Sequence, residues 1–114
     1  MMNDYYRLND KDEFSFYKFP KALFNERYKD ISSEAKLLYT LLYDRISLSN
    51  KNGWYDHGYR LYIYFTIKEV MQRLNIGHDK AIKSFKELEK AHLIKRKRQG
   101  QGKPSIIYIK RLEV

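Results

Sequence analysis

Cysteine is absent from the 114-residue chain, and with it go any disulfide framework and any thiolate metal site. Apolar runs of the roughly 20 residues needed to cross a bilayer are missing too. The opening stretch MMNDYYRLND has no basic segment followed by an apolar one, so no secretory signal is expected. These absences predict a soluble, cytoplasmic protein with no membrane partner. Signatures of catalysis are equally scarce. His57, His78 and His92 lack ligand spacing, no His-Glu-x-x-His occurs, and no serine sits in a Gly-x-Ser-x-Gly setting. Asp10, Asp12 and Glu13 read as a solvated charge run. GQGKPS is no phosphate-binding loop, because Pro104 and a β-forming run follow its lysine where a helix would have to begin. An enzyme, a cofactor and a metal are all unexpected. No repeat, low-complexity tract or Pro- or Ser-rich linker divides the chain, so residues 1–114 are expected to form a single domain with a flexible start over 1–13.

Positive charge is abundant. Lys and Arg number 23 against 14 Asp and Glu, for a formal net charge of +9, while 43% of residues are hydrophobic and 16% aromatic. So much apolar material excludes a disordered polyelectrolyte, and so much charge on a small body points to a polyanionic partner, most often nucleic acid. The charge is uneven: residues 78–114 hold 11 basic and 4 acidic side chains. The aromatics run the other way, with 16 of 18 before residue 66.

Periodicity supplies the elements. Phe14, Phe16 and Phe19 form an aromatic lead-in broken by Pro20. From Ser32, the residues Ala35, Leu38, Leu41, Leu42, Arg45 and Ile46 recur at intervals of three and four, predicting a helix over 33–47 capped by Ser32 or Ser33. Asn52-Gly53 and Gly58 amid Trp and Tyr predict a short hairpin ending in Leu61–Phe65. Thr66 and Glu69 form a capping box that opens a short helix, interrupted at Asn75-Ile76-Gly77. A second helix follows to about residue 91, with Ala81, Ile82, Phe85, Leu88 and Ala91 as its apolar face, so the pair has the helix-turn-helix layout. Leu93–Arg98 and Ser105–Ile109, joined by a turn holding Gly100, Gly102 and Pro104, make a basic β-hairpin. The expected fold is α+β: a winged helix-turn-helix, mainly helical, with a C-terminal basic β-hairpin as the wing.

In such a fold the second helix enters the major groove and its early residues meet base edges. On a wheel Asp79, Lys80, Lys83, Glu87 and Lys90 lie opposite the apolar face, with Ser84 and Lys86 at the flanks. An outward face mixing Lys, Asp and Ser offers both donors and an acceptor. An ordinary solvated face has the same look, and it is the order of the surrounding elements that favours recognition. His78 reads as a capping or DNA-facing residue. In the hairpin, Lys95, Arg96, Lys97 and Arg98 fall within four residues and Lys103 lies past the turn, a concentration of like charge that phosphate would relieve. A charged edge strand guarded against aggregation is the other reading. The candidate DNA contacts are therefore His78, Asp79, Lys80, Lys83 and Ser84 on the helix, Lys95, Lys97, Arg98, Gln101 and Lys103 on the wing, and Lys68 on the preceding helix. The many tyrosines before residue 66 suit either a dimer contact or a small core with a sheet face.

Three stretches carry a family resemblance: FPKALFNERYKDISSEAKLLYTLLYDRISLS, NGWYDHGYRLYIYFTIKEVMQRLN and KSFKELEKAHLIKRKRQGQGKPSIIYIK. Phe19-Pro20-Lys21, the Ser-x-Ala-Lys-Leu-Leu-Tyr helix, the NGW turn and the RQGxGKP wing tip together resemble the N-terminal domain of the RepA family of plasmid replication initiators, of the Gram-positive, staphylococcal-plasmid kind, over about residues 15–110. The resemblance implies a winged helix domain that binds double-stranded origin repeats as a homodimer. By position, Asp79, Lys80, Lys83 and Ser84 would enter the major groove, while Lys97, Arg98, Gln101 and Lys103 would meet phosphate or the minor groove. Gly77 and His78 depart from the usual Ser or Thr cap. The family's C-terminal domain, which contacts host replication proteins, is expected to be missing, leaving the DNA-binding fragment. A transcriptional repressor, or a protein-interaction module using the aromatic face, are the rival functions.

Overall fold

A computed structural model of the chain describes residues 5–11 and 13–114. The expected flexible start over 1–13 and the Asp12 member of the carboxylate cluster thus fall wholly or partly outside the described residues. Two short 3-10 turns, Lys21–Phe24 and Glu26–Tyr28, lead into helix α1, Ser33–Asn52. Strand β1, Tyr62–Ile63, helix α2, Ile67–Leu74, helix α3, His78–Lys90, and strands β2, Ile94–Lys97, and β3, Ile106–Ile109, follow. The strands form an antiparallel sheet in the order β1-β3-β2, with Tyr62 opposite Tyr108 and Lys95 opposite Tyr108 on the other side. This is the α+β winged helix arrangement.

Helix α1 starts as the sequence predicts, its Ser32 side chain accepting from the Ala35 amide at 3.2 Å. It runs five residues beyond the expected end. Asn52-Gly53, read as a hairpin turn, closes the helix instead: Gly53 takes φ 72°, and the amides of Gly53 and Trp54 both reach the Ser49 carbonyl, the αL ending that glycine tolerates best. Buried Ser49 locks this last turn by donating to the Tyr62 carbonyl at 2.6 Å. The expected hairpin is consequently small, a single bridge between Tyr55 and Leu61 around a turn that Asp56 organises. Its carboxylate accepts the Gly58 and Arg60 amides at 2.9 and 3.0 Å and the Arg60 Nε at 3.0 Å. The Arg60 amide first, then the Tyr108 hydroxyl and the Gly58 amide, outweigh burial and hold the Asp56 carboxyl below the ordinary carboxylate range.

Leu23, Leu38, Leu42, Ile63, Val70, Phe85, Leu88, Leu93 and Ile107 fill the core. Arg45, counted on the apolar stripe of α1, lies half-buried over the Phe65 ring at 4.4 Å. It donates to the Tyr64 carbonyl and to Glu69, each at 3.1 Å. Glu69 also completes the capping box on Thr66, so one carboxylate both starts α2 and ties it to α1. Burial pushes the Glu69 carboxyl up, and the Thr66 and Arg45 donors more than offset it, leaving it below its ordinary value. Tyr39 donates to the Lys110 carbonyl at 2.8 Å; burial, then the neighbouring Tyr43 and Tyr28, push its hydroxyl up to about 12. Among the described residues, no helix is long and apolar enough to cross a membrane.

Candidate nucleic-acid interface

Three turns of α3 present a continuous exposed stripe of Asp79, Lys83, Lys86 and Lys90, residues that recur at three and four and so share one helical face. The opposite face, Ala81, Ser84, Phe85 and Leu88, is buried against the core. Ser84 is therefore not available to a ligand, contrary to the sequence reading. It is 1% exposed, and its hydroxyl donates to the Lys80 carbonyl of its own helix at 2.8 Å. A small residue at the buried position lets α3 lie close to its neighbours, and the back-bond satisfies the hydroxyl without outside help. Glu87 also turns inward, accepting the Ser32 amide at 2.9 Å and the Ser32 hydroxyl at 2.7 Å. Lys86, a flank residue on the sequence wheel, joins Asp79, Lys83 and Lys90 on the outward face, which Glu87 leaves. Centring the wheel on Ala81, Ser84, Phe85 and Leu88 finds it.

The start of α3 is open. Its N-cap, Gly77, offers no side chain to the first amides, and a hollow of about 460 Å³ lined by residues 75–80 surrounds it. His78 is exposed and stands 3.6 Å from Asp79. Free amides and the positive end of the helix dipole favour an anion here, while the Asp79 carboxylate suits a base amino group. Lys80 leans toward α1, its Nζ 3.8 Å from Glu34. Asn75 makes the turn between α2 and α3 in the left-handed conformation at φ 54°. Lys68 is exposed on the first turn of α2.

The wing is held to α3 by Arg96, which pairs with Glu89 and lies over the Phe85 ring at 4.8 Å. That clasp uses up the one wing cation facing inward and sets the strand beside the helix. Lys95 and Lys97 alternate with it and are exposed. Arg98, Gln101 and Lys103 are exposed around a tip where Gly100 and Gly102 take φ 118° and 78°. The structure therefore places the helix stripe and the wing cations on neighbouring elements. Among the described residues, Lys83, Lys86, Lys90, Lys95, Lys97, Arg98 and Lys103 make no ion pair within the chain.

Residues 15–114 match the family model described as replication initiator protein A (RepA) N-terminus. A "41 kDa protein" from Lactobacillus helveticus is 33% identical over 86 residues, which are 75% of this chain and 24% of that one. The chain thus spans about a quarter of that relative's length. Among solved structures, one described as the N-terminal domain of a DNA binding protein superposes with a TM-score of 0.78 at 34% identity, covering 99% of this chain and 87% of its own. A Rep-DNA complex gives 0.76 at 37%, covering 88% and 78%. An MDR initiator gives 0.74 at 37%, covering 88% and 79%.

Proposed function

The chain belongs to the family of replication initiator protein A N-terminal domains, and from that membership we propose that it binds double-stranded plasmid origin DNA sequence-specifically, to mark where replication begins, with no chemistry of its own. The observation that carries the reading is the unpaired cationic stripe of α3 beside the exposed wing, on a chain similar in sequence and shape to one solved with DNA. Lys83 and Asp79 supply a donor and an acceptor for base edges, and the open start of α3 with Lys86, Lys90, Lys95, Lys97, Arg98 and Lys103 supplies phosphate contacts. Gln101 reaches sugar or base from the wing tip. A plasmid DNA partner supports a cytoplasmic location.

Two further partners belong to the same reading. A second copy is favoured by the exposed aromatics: Tyr5, Tyr6, Phe14 and Phe16 are 65–81% exposed, a cost in water that burial against another copy would relieve. Twofold symmetry would then present two reading helices to paired half-sites. Contacts with host replication proteins fall to sequence outside this domain.

Lys83→Ala is expected to cost about 1–3 kcal/mol of discrimination between target and random duplex. Lys97→Ala and Arg98→Ala should weaken every duplex alike and flatten the salt dependence of binding. Titration of a sequence panel at several salt concentrations checks this, and identical behaviour of the three variants refutes the division of labour.

A further inference from the structure

On a different surface, a groove of about 970 Å³ runs between α1 and the sheet, lined by no residue of α3. Its size is at the upper end of ligand sites, roughly 300–1,000 Å³. Six cations line it, from the turn before β1, from β2 and from the segment after β3, and among the described residues no carboxylate does. Two of them are already satisfied, Arg60 by Asp56 at 3.0 Å and Arg96 by Glu89. Lys95, Lys97, Lys110 and Arg111 make no ion pair among the described residues, so the groove carries four uncompensated charges toward one occupant.

Four tyrosines, Tyr39, Tyr43, Tyr59 and Tyr108, share the rest of the lining with five apolar residues. Tyr39 and Tyr43, one turn apart on α1, hold their rings nearly parallel, 10° apart with centroids at 6.4 Å. Tyr39 is buried in the wall, whereas Tyr43 is 43% exposed. Tyr108 forms another part of the lining, under the Arg60 guanidinium at 5.4 Å. Tyr59 stands 80% exposed at φ 61°, a left-handed conformation that a bulky side chain adopts only where the surroundings force it. The Asp56 hydrogen bonds do the forcing, and the ring, stacked on Tyr55 with centroids 5.7 Å apart, lines the groove while staying largely exposed.

We infer that this groove binds single-stranded nucleic acid, its cations on the phosphates and its exposed tyrosines against unpaired bases. Cations interleaved with exposed aromatic rings are the chemistry that sequence-tolerant single-strand sites use, since every base has a face to stack. A duplex would use the cations and leave the exposed tyrosines without a partner, because its base faces are covered by their neighbours in the helix. An acidic peptide would likewise use the cations and leave Tyr43 and Tyr59 idle. The site does not depend on duplex recognition by α3. Lys95 and Lys97 line the groove and are also among the wing cations given to the duplex, whereas Tyr43, Lys110 and Arg111 belong to the groove alone.

Fluorescence anisotropy with the whole chain tests the assignment, using a labelled oligothymidine of about 12 nucleotides, an abasic strand of equal length, a random duplex and an acidic tyrosine-containing peptide. The thymidine strand is expected to bind about tenfold or more tighter than the abasic one. Tyr43→Ala should weaken the strand by a similar factor and leave the duplex within about twofold. The double variant Lys110→Gln/Arg111→Gln, which leaves the core untouched, should do the same and should weaken the abasic strand as well. Lys83→Ala should affect only the duplex. Equal affinity for thymidine and abasic strands, or strand binding lost in Lys83→Ala and kept in both groove variants, overturns the inference. So does a peptide that displaces the strand while Tyr43→Ala changes nothing. Strand binding that survives without any duplex binding refutes the reading of α3 and leaves the groove standing.

Discussion

Glu87 accepts both the amide and the hydroxyl of Ser32 across the gap between α3 and α1, so one carboxylate orients α3 against the element that carries the core. Arg96 does the same for the wing, pairing with Glu89 two residues further along α3. Residues of this kind hide in a sequence, because an ionisable side chain on a helical wheel looks solvent-facing until its partner, 55 positions away in the case of Glu87, is known. Ser84 misleads for a related reason: its hydroxyl is satisfied within one turn of its own helix, so the position is free to be buried. Ser84→Ala removes only that back-bond, and the Lys80 carbonyl keeps its helical amide. Stability should change by no more than about 1 kcal/mol and duplex affinity should not change, as urea unfolding and a binding titration would show. A loss of affinity like that of Lys83→Ala would return Ser84 to the interface.

Helix α2 depends on its first turn more than the longer helices do, since eight residues are too few to hold a helix in water by propensity alone. Thr66 accepts the Glu69 amide at 3.1 Å, and Glu69 accepts the Thr66 amide at 3.1 Å while also pairing with Arg45. Thr66→Ala should cost about 1 kcal/mol, within a range of roughly 0.5–2, read as a lower urea midpoint with unchanged slope. This device was legible because it lies within four consecutive residues. The far end of α1 was not. Asn52-Gly53 serves equally well in a hairpin and at a helix terminus, and the choice was made by Ser49, whose bond to Tyr62 draws the last turn onto β1. The two-residue β1 was likewise unreadable in extent, because its pairing partner, β3, comes more than forty positions later.

At the scale of the whole molecule, the radius of gyration is 16.5 Å, with extents of 56 × 33 × 30 Å, against roughly 13 Å for a compact domain near this length. The aromatic lead-in is exposed as well: Phe14, Phe16 and Tyr17 are 49–65% exposed, and Arg73 donates to the Tyr17 hydroxyl at 2.7 Å. If this segment joins two copies, sedimentation should give twice the chain mass, and Phe14→Ser/Phe16→Ser should give the single mass with unchanged circular dichroism. A double variant that sediments like the parent would place the contact elsewhere. Composition and periodicity by themselves determined the basic, cysteine-free character, the three helices, the capping box and the wing, because each depends on neighbours within a few residues. Which polar side chains face outward on α3, where α1 stops, and that Tyr43, Tyr59, Lys110 and Arg111 share a groove were decided by the tertiary structure alone. Those relations join residues far apart in the chain, and only packing the strands against α1 brings them together.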